Sequence, residues 1–202
     1  MTVAMDDRIE VECHMADQAK PQELTLDYLF ELLERMPVPE GYKAEIVEGA
    51  IIMSPQREVH WDIIANVYEQ LRATYPRVRL LSDVRIDFPG YLNGFCPDLV
   101  ALREGTQKDS KGLRAPQDIE FLLEVISRGT SANDYGSKKA TYAEVGVPTY
   151  MIADPYTGRC HVFSHPKDGE YRRQLRVDFG LPIDLTNTAA GIKLSTDEFP
   201  RD

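Results

Sequence analysis

The sequence lacks long apolar runs, paired cysteines and clustered histidines, and each absence removes a class of protein. No stretch approaches the roughly 18 consecutive apolar residues of a membrane-spanning helix, so we expect no membrane association. The three cysteines are isolated and form no CxxC pair, which favours a reducing, cytoplasmic setting over a disulfide framework. The four histidines have no cysteines at zinc-site spacing, so the sequence argues against bound zinc.

The 33 acids outnumber the 23 lysines and arginines, so the formal net charge is -10. Spread evenly, this charge would oppose binding to nucleic acid. Much of the excess lies at the two ends, with six acids and two bases in residues 1–23 and five acids and two bases in residues 178–202. Because the intervening body is close to neutral, the acidic total weakens but does not exclude a nucleic-acid partner. Residues 1–12 contain four acids and no apolar segment, so no secretory signal peptide is predicted.

Short apolar runs, helical patterns and turn signals alternate along the chain. We interpret the polar, aperiodic residues 1–23 as a flexible acidic leader. Residues 24–199 contain no repeat, low-complexity tract or linker, so they predict a single domain. Their patterns predict an α/β fold with a central mixed β-sheet flanked by α-helices and a C-terminal antiparallel meander. The predicted helices are 26–36 (with Thr25 as N-cap), 58–75 and about 134–145, and the predicted strands are two within 42–55 and then 78–88, 95–102, 119–127, 148–154, 159–164 and 170–177.

Two acids, Asp98 and Glu124, interrupt apolar strand patterns where aliphatic side chains are expected. An uncompensated buried carboxylate costs roughly several kcal/mol, so each acid needs a partner. Neighbouring strands of one sheet would bring the two carboxylates together, and a cation between them would relieve their repulsion. Oxygen ligands favour Mg²⁺ or Mn²⁺, which can activate water and neutralise charge on a phosphoryl group. The alternatives are an Asx-type cap for Asp98 and an ion pair with an arginine for Glu124.

Lys138 lies four residues after Asp134, one turn further along a predicted helix. A lysine beside such a metal would orient the attacking water or stabilise the negative charge of the transition state. A second interpretation fits equally well, in which Asp134 caps the helix and Lys138 lies on its solvated surface. The residues alone leave both interpretations open.

Several short motifs occur in order along the chain. The upstream motifs are Ala44-Glu-Ile-Val-Glu-Gly-Ala-Ile-Ile-Met-Ser-Pro55 and Pro97-Asp-Leu-Val100, and the downstream motifs are Glu124-Val-Ile-Ser127, Asp134-Tyr-Gly-Ser-Lys138 and residues 142–155. Together they resemble the Uma2 family, also called DUF820, which is assigned to the PD-(D/E)xK nuclease superfamily. The resemblance covers roughly residues 24–199. It implies a restriction-endonuclease-like core with Mg²⁺-dependent phosphodiester hydrolysis.

The resemblance also implies roles for individual residues. Asp98 and Glu124 fall on the two metal-binding acids of the superfamily. The superfamily's usual lysine, two residues after the second acid, is replaced here by Ile126. In the Uma2 pattern this lysine lies on the following helix, which points to Lys138.

An acid from an N-terminal element commonly completes such sites, and Glu45 or Glu48 would fill that place. We favour Glu45, because Glu48 precedes Gly49 and can belong to a turn. His60 has two interpretations: a phosphate contact or water-positioning residue, or a capping or packing histidine. The aromatic residues that we predict to lie in the core rather than to stack on a substrate are Trp61, Tyr142 and Tyr150.

We therefore predict a Mg²⁺-dependent endonuclease that hydrolyses DNA. A homodimer is expected, because cleavage of both strands of a duplex suits two symmetric active sites. Two alternatives stay open: a catalytically degenerate nuclease-fold module that binds DNA or protein, and a metal-dependent hydrolase of small phosphate esters. The predicted catalytic residues are Asp98, Glu124, Lys138 and Glu45, and the candidate accessory residues are His60, Glu48 and Asp134.

Overall fold

Two main β-sheets and four α-helices make up the fold in a computed structural model, which describes residues 9–11 and 23–202. The helices are α1 (Leu26–Arg35), α2 (Glu58–Leu71), α3 (Ser131–Tyr135) and α4 (Ser137–Glu144). The strands are β1 (Ile9–Val11), β2 (Tyr42–Val47), β3 (Ala50–Pro55), β4 (Leu80–Leu81), β5 (Ile86–Phe88), β6 (Asn93–Phe95), β7 (Leu99–Leu102), β8 (Ile119–Val125), β9 (Thr149–Asp154), β10 (Arg159–Lys167), β11 (Glu170–Asp178), β12 (Ile183–Asp184) and β13 (Lys193–Leu194). Within these described ranges, no helix is both long and apolar enough to cross a membrane.

The first sheet has the strand order β1-β3-β2-β6-β5, and its neighbouring strands are antiparallel. The second sheet has the order β11-β10-β9-β8-β7-β4 and is mixed, because β8 and β9 run parallel while the other pairs are antiparallel. Strands β9 to β11 form an antiparallel meander in the C-terminal part of the chain. The predicted α/β fold with a mixed sheet is therefore confirmed.

Apolar side chains pack on both faces of the second sheet. On one face, Ile63 and Val67 of α2 lie in the same apolar cluster as Leu123 of β8. On the other face, Tyr142 of α4 and Tyr150 of β9 are fully buried in a second cluster, as predicted. The prediction that Trp61 belongs to the core is wrong. Its side chain is 65% exposed, because the buried face of α2 follows positions 60, 63, 64, 67 and 71 and leaves residue 61 at its margin.

The first sheet is covered by α1, which begins where the sequence predicts. The Thr25 side chain accepts a hydrogen bond from the backbone N–H of Tyr28 at 3.2 Å, and Leu29 packs against apolar residues of β2 and β3. Within the predicted leader, Ile9–Val11 forms a strand that pairs with β3. Residues 1–8 and 12–22 lie outside the described residues, so the flexibility of the leader stays a prediction.

Two predicted single strands each divide between the two sheets. The predicted strand 78–88 becomes β4 in the second sheet and β5 in the first, and the predicted strand 95–102 becomes β6 and β7. Asp83 interrupts the first of these with a left-handed backbone (φ 53°), and Pro97 interrupts the second because it has no N–H for a ladder. The Asp83 N–H donates to the Pro97 carbonyl at 3.0 Å. The two crossing points are thus joined, and Asp98 lies at the boundary between the sheets.

The predicted helix near 134–145 is divided at Gly136. This residue has φ -110° and ψ -104°, and a Cβ there would lie 2.6 Å from the carbonyl oxygen of Ala132. Asp134 lies inside α3, whose N-cap is Thr130. The alternative in which Asp134 is the helix cap is therefore wrong, and Lys138 falls in the first turn of α4.

Candidate active site

The carboxylates of Asp98 and Glu124 lie together on one face of the second sheet. In the antiparallel pair β7–β8, Leu99 is opposite Leu123, which places the two acids opposite each other on the alternate face. The Asp98 N–H donates to Glu124 Oε2 at 3.4 Å, and the Val125 N–H donates to Asp98 Oδ2 at 2.7 Å. Each acidic side chain is 2% exposed. The pair is therefore almost completely removed from bulk water.

Helix α4 brings Lys138 against these acids. Its Nζ lies 2.7 Å from Glu124 Oε1, 3.0 Å from Glu45 Oε1 and 3.1 Å from Asp134 Oδ1. The three donors of the ammonium group can therefore each meet a different carboxylate. Because its side chain is 1% exposed, the alternative of a solvated surface lysine is wrong. Tyr142, one turn further along α4, donates its hydroxyl hydrogen to Glu124 Oε1 at 2.7 Å.

Strand β2 of the first sheet contributes two charged residues to the site, Lys43 and Glu45. Lys43 Nζ lies 2.5 Å from Asp98 Oδ1 and 3.8 Å from Glu124 Oε2. It also lies 3.8 Å from Asp83 Oδ1, at the boundary between the sheets. Glu45 is two residues further along the strand and reaches the lysine of α4 from the same side. Residues of both sheets therefore close the site.

The site is electrostatically unbalanced when every group is ionised, because four buried carboxylates share two ammonium groups. Burial raises the pKa of Glu124 to about 8 and that of Asp134 to about 6, although the neighbouring lysines act in the opposite direction. Burial also disfavours the charged form of Asp98, but the Lys43 ammonium outweighs this effect and the pKa of Asp98 is lowered. Burial likewise disfavours both ammonium groups, but the carboxylates around Lys43 and Lys138 outweigh it and raise their pKa values. Both lysines therefore stay charged at neutral pH.

Comparison with known proteins agrees with the motifs and the fold. The Uma2 family model, described as "Putative restriction endonuclease", matches residues 30–197. The chain belongs to the Uma2 family. It is similar to the crystal structure of a "putative nuclease belonging to DUF820" from Anabaena variabilis ATCC 29413, with a TM-score of 0.64 and 19% identity over 87% of this chain and 97% of that one. No curated protein gives a significant match.

The candidate accessory residues of this Uma2 protein lie in different places. Asp134 is in the site, as described above. Glu48 is exposed in the turn between β2 and β3 with a left-handed backbone (φ 52°), so Glu45 and not Glu48 faces the two acids. His60 is buried, and its Nε2 lies 3.0 Å from the Oγ of Ser127, a residue that lines the site. His60 thus packs behind the wall of the site, and burial lowers its pKa.

The oxygen atoms of the two acids suit a hard cation. Mg²⁺ is commonly bound through one or two carboxylates, with water as its other ligands, and Asp98 Oδ1 and Glu124 Oε2 both face one position. When every group is ionised, the excess of two negative charges equals the charge of one divalent ion, so metal binding would require Glu124 to lose the proton that its raised pKa favours. In the described part of the chain, no three His, Cys, Asp or Glu side chains are grouped as metal ligands. The donors therefore fit Mg²⁺ through two carboxylates, but the Lys43 ammonium lies at that position.

Sequence reasoning missed Lys43 and Asp83. The signal for Lys43 was present, because alternate residues of a strand project to the same face and Lys43 is two residues before Glu45. Choosing Glu45 for the site therefore implied a lysine beside it. No comparable signal exists for Asp83, whose position depends on where the chain passes from one sheet to the other.

Proposed function

We propose that this Uma2 protein is a Mg²⁺-dependent endonuclease that hydrolyses DNA phosphodiester bonds at the site of Asp98, Glu124 and Lys138. The observation that carries the proposal is the convergence of two strand carboxylates and one helix lysine from separate parts of a chain of this family. The nuclease family supports the reaction type, and the choice of DNA and Mg²⁺ is our proposal.

Asp98 and Glu124 would hold the metal, Mg²⁺ or Mn²⁺, which when bound activates water and neutralises charge on the scissile phosphate. The protein orients both carboxylates in advance. The Val125 N–H holds Asp98 through its Oδ2, and the Tyr142 hydroxyl holds Glu124 through its Oε1. Such fixed orientation avoids the cost of rearranging dipoles during the reaction.

Lys138 would supply a fixed positive charge next to the reacting phosphate. Burial alone would lower its pKa, but the carboxylates of Asp134, Glu124 and Glu45 outweigh burial and raise it well above the usual value. The ammonium therefore cannot serve as a general base at neutral pH. Its role would be to stabilise the charge of the pentavalent phosphate or to orient water through its N–H groups, while Glu45 and Asp134 hold it in place.

Nicking of supercoiled plasmid DNA in Mg²⁺ or Mn²⁺ tests this function. We expect cleavage by the wild type, none in EDTA, and a loss of at least about 100-fold in Asp98→Ala and in Lys138→Ala. Lys139→Ala is the matched control, because Lys139 follows directly on α4 but lies over the Phe163 ring instead of the acids. This control should retain its activity.

Three other outcomes of the same assay are informative. Full activity in both Asp98→Ala and Lys138→Ala would contradict the proposal. Hydrolysis of small phosphodiesters without any action on DNA would favour the small-ester hydrolase. Linear product formed without a nicked intermediate would support the expected homodimer, because two active sites would then cut together.

A catalytically degenerate module for DNA or protein binding is the second candidate. One observation favours it: both acids are already paired with ammonium and N–H donors in a closed site, so the fold needs no metal for charge balance at Asp98. Titration calorimetry with Mn²⁺ separates the two candidates. Absence of binding by the wild type, together with intact folding, would favour the degenerate module.

A further inference from the structure

We propose that Lys43 is a displaceable cation whose ammonium group occupies the position between Asp98 and Glu124 and withdraws to Asp83 when a divalent metal binds. This inference rests on the proposed function. It adds a metal-linked positioning residue, Lys43, and an outer acceptor, Asp83, to the site.

Lys43 already lies where a metal would be held. Its Nζ is 2.5 Å from Asp98 Oδ1 and 3.8 Å from Glu124 Oε2, one oxygen from each of the two acids that would hold the metal. An ammonium and a divalent cation repel each other strongly at such short range in a dry environment. Metal binding at these oxygens therefore requires the ammonium to leave.

Lys43 is the lysine that can leave. Lys138 has three carboxylates within 3.1 Å of its Nζ and a side chain that is 1% exposed. Lys43 has one carboxylate within hydrogen-bonding distance, and its side chain is 9% exposed. Displacing Lys43 thus breaks fewer contacts and moves the charge a shorter way toward water.

Asp83 is placed to receive the displaced ammonium. Its Oδ1 is 3.8 Å from Lys43 Nζ, and its side chain is 49% exposed, compared with 2% for Asp98. The Asp83 backbone is fixed, because its N–H donates to the Pro97 carbonyl at 3.0 Å. Lys43 therefore lies between one buried and one half-exposed acceptor, so a rotation of its side chain exchanges one partner for the other.

Calorimetric titration with MnCl₂ alone, without DNA, tests the inference on the full chain. We expect Asp98→Asn to lose binding and Lys43→Met to bind about tenfold more tightly than the wild type. Asp83→Asn should bind about threefold more weakly, because the withdrawn ammonium loses its acceptor. Asparagine is chosen because it tolerates the left-handed backbone at this position. Lys139→Met is the control and should leave the affinity unchanged.

The double variant, which combines Lys43→Met with Asp83→Asn, distinguishes withdrawal of the ammonium to Asp83 from a general effect of charge on metal affinity. If Asp83 acts through Lys43, Asp83→Asn should have no effect in the Lys43→Met background, whereas independent charge effects would add. Additive effects would overturn the withdrawal. Equal affinities of Lys43→Met and the wild type, with binding lost in Asp98→Asn, would overturn the role of Lys43 while leaving the proposed function intact. Absence of Mn²⁺ binding in both the wild type and Lys43→Met would contradict the proposed metal site itself, and with it the proposed function.

A structure with Mn²⁺ gives a second measurement that does not depend on the folding of Lys43→Met. We expect Mn²⁺ at the two carboxylates of the wild type and Lys43 Nζ out of hydrogen-bonding distance of Asp98 and beside Asp83. Mn²⁺ bound there with the Lys43–Asp98 contact unchanged would overturn the inference.

Discussion

The two faces of β7 and β8 are built from alternate residues of the same strands, yet where β7 begins and β8 ends their chemistry is opposite. Leu99 and Leu123 enter the apolar cluster under α2, while Asp98 and Glu124 enter the charged site under α4. All four residues are at most 2% exposed. The difference is therefore not exposure to water but the way in which burial is compensated. Many interchangeable contacts stabilise the apolar face, whereas the charged face depends on each individual partner.

Removal of the Lys138 ammonium should give the largest change in stability, because it leaves three buried carboxylates without their shared cation. We expect Lys138→Met to lower the free energy of unfolding by about 3–5 kcal/mol, measured by urea denaturation at pH 8. Lys139→Met, the neighbouring control, should cost less than about 1 kcal/mol. Equal losses in the two variants would contradict the view that the charged face depends on individual partners.

Truncation on the apolar face should give a somewhat smaller change. We expect Leu123→Ala to lower the free energy of unfolding by about 3 kcal/mol, because it leaves a cavity in a fully buried cluster. The loss should be the same at pH 5 and pH 8, since the cluster around Leu123 contains no carboxylate. Urea denaturation at both values checks this, and a loss that grows with pH would show that the two faces are coupled.

The last expected change is in the pH dependence of stability of the metal-free protein. Burial raises the pKa of Glu124 from 4.5 to about 8, so between these values the folded state binds more protons than the unfolded state. Stability from this group is therefore complete below about pH 4.5 and is lost as the pH rises through about 8. Asp98, whose pKa is lowered, acts in the opposite direction and only in more acidic solution.

Denaturation in EDTA at pH 5, 6.5 and 8 measures this dependence. In Glu124→Gln the part of the slope that comes from this carboxyl group should disappear, because glutamine does not titrate. An unchanged slope in this variant would contradict the raised pKa of Glu124.

Much of the site could be predicted because its signals are local. An acid inside an apolar strand has a high cost of burial wherever the strand lies, so Asp98 and Glu124 were recognisable without knowledge of the fold. The structure brings both together with Lys138, although their catalytic roles stay predictions. Thr25 was likewise recognisable as a cap, because capping involves a backbone N–H only three residues away.

The features that were missed depend on contacts between distant parts of the chain. Strand patterns give the face of each residue but not the sheet to which a strand belongs, so 78–88 and 95–102 were each predicted as one strand. Asp83 reaches Lys43 only because the chain changes sheets there. Trp61 is exposed because it lies at the margin of the apolar face of α2. The helical period gives the direction of that face but not its width.

The parallel pairing of β8 with β9 has a consequence for how this site tolerates change in sequence. Parallel neighbours cannot be joined by a tight turn, so the chain after β8 must cross over one face of the sheet before β9 begins. Helices α3 and α4 are that crossover, and they carry Lys138 above the strand of Glu124. The topology thus delivers a side chain to the acid from fourteen positions downstream. The lysine that contacts the acid can therefore lie either on the strand of the acid or on the crossover helix, so its position in the sequence can change while its place in the site is kept.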